Sequence, residues 1–309
     1  MAENSYFIGI DGGGTKTEFC FLQIETGKRE YFLSGSSNYK TTKDETVRRN
    51  LIDSIKQYQK ENNIKSSQIK GIVAGIAGCD NDEDKAFYNK IFDDSGIERD
   101  RICICNDAYL AFGSAKEDHG IVVVAGTGSI CLGIKKTKED LRCGGWGFPI
   151  SDLGSGLWIA SKALTDLVTY CDGYGKYHDI FQKFKEKIGV EDFSDIPEII
   201  TSYKIQDYAS FAKTVMDFAD VGDEYCLSLA QKSVEHIVVM AKVIYDRFSE
   251  SDREGMAFIC LGGLFSHKFF REEFLSILSF ETDISPERVS FISSRPVDGA
   301  VKIAERLFI

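Results

Sequence analysis

The sequence predicts an α/β protein built from two similarly organised halves. Three observations lead there. Residues 6–22 read YFIGIDGGGTKTEFCFL, and residues 121–134 read IVVVAGTGSICLGI. Each is an apolar strand, a tight turn rich in Gly, Thr and Ser, and a second apolar strand. After each pair, strand-like runs alternate with helix-like ones, the order that packs helices onto sheets.

In the first half, strands are expected at about 6–11, 17–24 and 29–34. A helix near 44–62 carries Val47, Leu51, Ile55 and Tyr58 on one face at helical spacing. Gly71–Ile76 reads as a buried strand, 83–95 as a helix, Arg101–Cys105 as a strand and 107–115 as a short helix. The second half restarts with strands at 120–125, 129–135 and 140–143. A long helical region, 153 to about 250, precedes a strand at Met256–Leu261, a helix at 265–279, a strand at 288–292 and a final helix at 297–308. The expected division is a first domain over 1–115, completed by a returning C-terminal helix at 297–309, and a second domain over 116–296 with the helical insertion. The boundary is placed in the polar stretch Ser114–His119.

Composition narrows the function. The 309 residues are 43% hydrophobic, enough for a sizeable core. The formal net charge of −11 and the lack of any Lys/Arg run argue against nucleic acids and anionic membranes as partners. The nine cysteines show no CxxC spacing and several fall in apolar strands, which reads as reduced buried thiols in a cytoplasmic protein. Met1–Ser5 is polar and the first apolar run is a short strand, so no secretory leader is expected. The four histidines share no metal-ligand spacing and read as surface or structural residues.

The chemistry concentrates at the turns. A glycine-rich hairpin brings bare backbone N–H groups close to a ligand, and consecutive ones make an anion site. Gly12, Gly13 and Gly14, with the hydroxyls of Thr15 and Thr17, form the first such turn; Thr127 and Gly128 form the second, with Ser129 following. Two turns suggest two halves holding the phosphates of one nucleotide. Lys16 either offsets phosphate charge or points to solvent. Asp11 ends the first strand beside a phosphate turn, which makes sense if a divalent cation such as Mg²⁺ lies between carboxylate and phosphate; otherwise it caps its own loop. Asp107 follows a buried strand, where α/β sheets place their ligands. It reads as a general base, with a helix cap as the alternative. Gly145, Trp146 and Gly147, followed by Asp152, suit a sugar, whose C–H face stacks on an indole while its hydroxyls meet polar groups. Trp146 could instead be core, and Asp152 could cap the next helix. Asn38 is a candidate polar contact in the loop after the third strand. Cys260-Leu261-Gly262-Gly263 is a strand entering a glycine turn that would let a flat base lie against the backbone.

DGGGTKT, NDA, AGTGS, CGGWG, DLGSG and LGGLF, in this order over nearly the whole chain, resemble the eukaryotic-type N-acetylglucosamine kinases of the BadF/BadG/BcrA/BcrD ATPase family, within the actin-like superfamily. The resemblance implies two actin-like (ribonuclease H-like) domains with a nucleotide and sugar cleft between them. It implies ATP-dependent phosphorylation of the 6-hydroxyl of an amino sugar, most often N-acetylglucosamine, with Mg²⁺ held near Asp11 and Asp107. Asp107 takes the role of base. Thr15 and Thr127 contact phosphates. Asn38, Gly78, Ser129, Gly145, Trp146, Gly147 and Asp152 lie on the sugar side. Ala209, Phe211, Gly262 and Gly263 form the adenine pocket. ATP and the sugar are the expected partners, with room for a homodimer. The chain departs from many members at Ala77-Gly78, where they carry Ser-Gly, and so lacks one hydroxyl near the sugar. That leaves a dual N-acetylmuramic acid/N-acetylglucosamine kinase or a glucosamine kinase as alternatives. From other classes come an ATPase activating a 2-hydroxyacyl-CoA dehydratase through an iron–sulfur cluster, and a scaffold relative of actin.

Overall fold

A computed structural model describes residues 4–137, 139–293 and 295–308. The chain divides into two compact units. One gathers the residues up to Lys116 with the segment after Ser293, and the other runs from Glu117 to Ser293.

The first unit opens with β1 (Tyr6–Gly12), β2 (Lys16–Gln23) and β3 (Arg29–Gly35). α1 (Asp44–Arg48) and α2 (Ser54–Glu61) follow, joined through a π-helical turn at Arg49–Asp53. Next come β4 (Ile69–Ile76), α3 (Asp82–Phe92) and β5 (Ile102–Cys105), then a 3₁₀ helix at Asp107–Ser114. The strands form one sheet in the order β3-β2-β1-β4-β5. β2 is antiparallel to both β1 and β3, whereas β4 runs parallel to β1 and β5 parallel to β4. β1, β3, β4 and β5 therefore all end at the same edge.

The second unit holds β6 (Gly120–Ala125), β7 (Ser129–Ile134) and β8 (Asp140–Gly144). Its helical insertion resolves into α4 (Gly156–Cys171), α5 (Ile180–Ile188), α6 (Ile196–Thr201), α7 (Ile205–Asp220), α8 (Glu224–Asp246) and α9 (Glu250–Arg253). β9 (Ala257–Leu261), α10 (Lys268–Glu281) and β10 (Val289–Ile292) complete it. The sheet order β10-β9-β6-β7-β8 is that of the first unit read from the other side, with the same parallel and antiparallel pairs. Behind this sheet, α8 buries Cys226, Leu229, Ala230, Val234, Ile237, Ala241 and Ile244, an uninterrupted stripe at helical spacing.

α11 (Pro296–Phe308) returns to the first unit. Strand alternation sends Ile8 and Ile10 of β1 to a core with Val47, Leu51 and Ile55, while Phe7 faces Val297, Ala300, Val301 and Ala304 of α11. Gly9 lies under the helix: a Cβ there would be 2.6 Å from the carbonyl oxygen of Val297 and 2.7 Å from the Val301 side chain.

Two expected helices differ in winding. The π turn at 49–53 brings three successive residues, Asn50, Leu51 and Ile52, inward, and Asn50 Nδ2 donates to the Ser36 carbonyl at 2.7 Å. The segment 107–114 is 3₁₀, which stacks Leu110 over Gly113. Leu110 and Gly113 press on α11 at Gly299, whose added Cβ would lie 2.0 Å from the Leu110 carbonyl oxygen.

Gly299→Ala must push two backbones apart. We expect a loss of about 1–3 kcal/mol, a fall of about 5 °C or more in the unfolding midpoint of the first unit. A scanning-calorimetry trace indistinguishable from wild type would show that this contact does not set the helix position.

Candidate active site

In the first unit the edge where β1, β3, β4 and β5 end carries four loops. The β1–β2 hairpin closes through Gly13 N–H donating to the Lys16 carbonyl at 2.8 Å, and Gly14, Thr15 and Lys16 stand exposed at its tip. A Cβ at Gly14 would meet nothing within 4 Å, so open space lies over that backbone. Gly12 is different: it is buried, and a Cβ would be 2.3 Å from Ser37 Oγ, so packing requires it rather than a ligand. Thr17 also departs from the expectation. It is fully buried, and its hydroxyl donates to the Gly35 carbonyl at 2.8 Å, because residue 17 falls on the inward side of the β2 pleat.

Asp11, at the end of β1, has its carboxyl pushed up from the ordinary 3.8 to about 6. Burial is the largest cause, followed by the negative charges of Asp107 and Glu18, with Lys16 opposing. Asp11 and Asp107 are thus within electrostatic reach of each other. Asp107 begins the 3₁₀ helix but does not cap it. Asn106 does, its Oδ1 accepting from Ala108 N–H at 3.0 Å. In the loop after β3, Asn38 Oδ1 accepts from the Lys40 N–H at 2.9 Å. Gly78, after β4, has φ +83°, and a Cβ there would stand 3.0 Å from Asn38 Nδ2. Only glycine fits both the angle and the approach.

In the second unit the β6–β7 turn closes through Gly126 N–H to the Gly128 carbonyl at 2.9 Å. It is stitched to the start of α4, where Gly156 and Leu157 N–H groups donate to the carbonyls of Gly126 and Thr127 at 2.8 and 3.1 Å. Ser155 caps α4 by accepting from Trp158 N–H, which leaves Asp152 free of that duty. Asp152 takes φ +60°, is 9% exposed, and accepts backbone N–H groups of Gly147 and Ser129. Burial raises its carboxyl above the usual range against those two bonds and the Arg142 charge. The Ser129 hydroxyl uses its proton inside the protein: it donates to the Leu153 carbonyl at 2.8 Å.

Gly144, Gly145 and Gly147 all have φ between +72° and +95°, and the chain turns tightly around Trp146, which is 72% exposed rather than core. Arg142 organises this turn. Its guanidinium lies 4.1 Å from the indole centroid, its Nε donates to the Gly144 carbonyl at 3.0 Å, and it also donates to the Gly145 carbonyl. Sequence reading passed over Arg142; its one signal was its place two residues before Gly144 on the same strand.

A cavity of about 330 Å³ in this unit is lined by Thr127, Ala209, Ala212, Lys213, Gly263 and His267 among others. Ala209, Ala212 and Lys213 share one face of α7 at i, i+3 and i+4. Phe211 lies on the other side, 2% exposed and edge-on to Phe184, so it belongs to the core and not to the cavity. Gly262, φ +114°, has its Cα against Ala125, and Gly263 opens to the cavity. His267, read from the sequence as a surface or structural residue, lines the cavity wall with Nδ1 2.9 Å from Asp220 Oδ2.

The raised Asp11 carboxyl gives a pH signature. Stability from its protonation is fully present below about 4 and is lost as the pH rises through about 6. Without nucleotide and in chelator, Asp11→Asn should therefore be more stable than wild type at pH 8, by up to about 3 kcal/mol, with the gain shrinking toward pH 4. Unfolding midpoints across that range decide it, and a pH-independent difference would refute the assigned burial penalty.

Among known proteins, the chain is 26% identical over 304 residues to the N-acetylmuramic acid/N-acetylglucosamine kinase of Clostridium acetobutylicum, covering 97% of this chain and 98% of that one. It is 25% identical over 282 residues to the N-acetyl-D-glucosamine kinase of Dictyostelium discoideum, covering 87% and 88%. Its fold matches that of a Chromobacterium violaceum protein crystallised as a candidate N-acetylglucosamine kinase, with a TM-score of 0.71 at 17% identity over 97% of this chain and 99% of the other. Residues 8–301 match the BadF/BadG/BcrA/BcrD ATPase family, and the chain belongs to that family.

Proposed function

We propose that this protein is an ATP-dependent kinase that phosphorylates the 6-hydroxyl of an amino sugar, with N-acetylglucosamine as the preferred acceptor. The observation that carries the reading is the similarity to an N-acetylmuramic acid/N-acetylglucosamine kinase along 97% of the chain. The acceptor hydroxyl loses its proton to Asp107 as it attacks the γ-phosphoryl group, and ADP leaves. The amides around Gly13 and Gly14, the Thr15 hydroxyl and Lys16 hold phosphate oxygens on behalf of the first unit. Thr127 and the Gly128 turn do so on behalf of the second. Adenosine occupies the cavity lined by Ala209, Ala212 and Gly263, whose volume of about 330 Å³ falls within the usual range for ligand pockets. The exposed Trp146 indole takes the C–H face of the sugar, while Asp152, Asn38 and the backbone at Gly78, Gly145 and Gly147 meet its polar groups. The seated sugar displaces water as the competing acceptor.

Mg²⁺ fits Asp11 and Asp107. Two partly buried carboxylates repel each other there, and Mg²⁺ is commonly held by one or two carboxylates together with substrate phosphates. When bound it neutralises charge on the transferring group. No helix among the described residues is long and apolar enough to cross a membrane. The nine cysteines, all free thiols, support placing the enzyme in the reducing cytoplasm.

The test is coupled ADP release with glucose, glucosamine, N-acetylglucosamine, N-acetylmannosamine and N-acetylmuramic acid. A glucose specificity constant equal to the best amino sugar's would sink the assignment. A brown, oxygen-sensitive protein without sugar-dependent turnover would favour the dehydratase activator instead. Asp107→Asn should lower kcat by at least about 100-fold while calorimetry still detects both ligands. Ala212→Leu, which fills the cavity, should raise the KM for ATP about tenfold and leave that for sugar unchanged. A sugar-only effect would move the nucleotide elsewhere.

A further inference from the structure

The loops after β3, β4 and β5 are tied together by charged and amide side chains outside the machinery just described. Lys40 Nζ donates to Asp80 Oδ2 at 3.2 Å and to Asp84 Oδ2 at 3.0 Å. Asp80 Oδ1 accepts from Asn106 Nδ2 at 2.9 Å. Asn106 uses the other half of its amide to accept from Ala108 N–H, and so caps the 3₁₀ helix whose first residue is Asp107. At the other end of the chain of contacts, the Lys40 backbone N–H donates to Asn38 Oδ1.

Asp84 anchors the assembly. Its side chain is 2% exposed and accepts from the Tyr39 hydroxyl at 2.5 Å and from the Asp80 N–H at 2.7 Å. The Asp80 side chain is 18% exposed, partly shielded from water, where a charge-assisted bond holds its geometry better than one on an open surface.

We propose that Asp80 is a positioning residue. Through Lys40 on one side and Asn106 on the other, it fixes the spacing between Asn38 and the base Asp107. This rests on the reading of Asp107 as base and Asn38 as a sugar contact. Its function is to keep the acceptor oxygen aligned with the base, and misplacement by about 1 Å can cost on the order of 100-fold in rate. Asp80 touches neither substrate, and its removal alters kcat more than KM.

The experiment compares Asp80→Ala, Asp80→Asn and Lys40→Met with wild type, using ATP and N-acetylglucosamine. Asp80→Asn keeps an acceptor for Asn106. We expect Asp80→Ala to lower kcat by about 10- to 100-fold with the KM for ATP within about twofold, and Asp80→Asn, which keeps the Asn106 bond but loses the Lys40 one, to recover part of that loss. Lys40→Met, which breaks the same half of the tie, should lose about as much as Asp80→Asn. Hydrogen exchange supplies a readout independent of activity: the amide of Ala108 should exchange faster in Asp80→Ala than in wild type or Asp80→Asn. A wild-type kcat in Asp80→Ala overturns the proposal. So does an equal loss in Ala and Asn variants that tracks a lowered unfolding midpoint. If the wild type phosphorylates no amino sugar, the proposed function fails on its own; the exchange rate at Ala108 then decides the tether, unchanged exchange removing it.

Discussion

Parallel pairing of β1 with β4, and of β4 with β5, is the constraint on which the chemistry of the first unit depends. Parallel strands need crossovers, so their carboxyl ends leave the sheet on one edge and their loops gather there. β3 joins them because two antiparallel steps restore its direction. Asp11, Asn38, Gly78 and Asp107 are separated by tens of residues, yet each lies at the end of such a strand or within three residues after it. The second sheet repeats the pairing with β6, β9 and β10 and presents its own glycine turns at the equivalent edge.

The electrostatic consequence is tension. Gathering strand ends also gathers carboxylates, and the Asp11 carboxyl near 6 is the price of holding it partly dry beside Asp107 and Glu18. Groups held this way cluster where chemistry is done, since a charge unsatisfied in the free protein is poised for a cationic ligand. Asp152 shows the milder form, with burial offset by two backbone N–H donors. Its positive φ stores backbone strain at the same point.

What was legible in the sequence was what local chemistry dictates. The hairpin turns and the alternation of strands with helices follow from glycine clusters and periodicity, and the order DGGGTKT to LGGLF carried the family resemblance. Misreadings came where one residue decides the direction a side chain takes. Thr17 and Ser129 offer hydroxyls in the right neighbourhood, but the pleat turns both inward to carbonyls. Phe211 is two positions from Ala209, and a helix carries that step to its opposite side. The His267–Asp220 pair and the Lys40–Asp80–Asn106 tie were invisible because the partners lie far apart in the chain; no spacing in one sequence encodes a bond between residues 80 and 106.

The return of α11 gives the first unit a discontinuous chain. Phe7, Cys20, Leu22 and Val73 are covered by Val297, Ala300, Val301 and Ala304, which the ribosome delivers only after the whole of the second unit. During synthesis one face of the first sheet has only the 3₁₀ helix at 107–114 as native cover, while the second unit is contiguous and can close on itself. Vectorial folding therefore runs opposite to chain order. The second unit matures first, and the early strands wait in need of protection, with Gly9 keeping open the groove that the last helix fills.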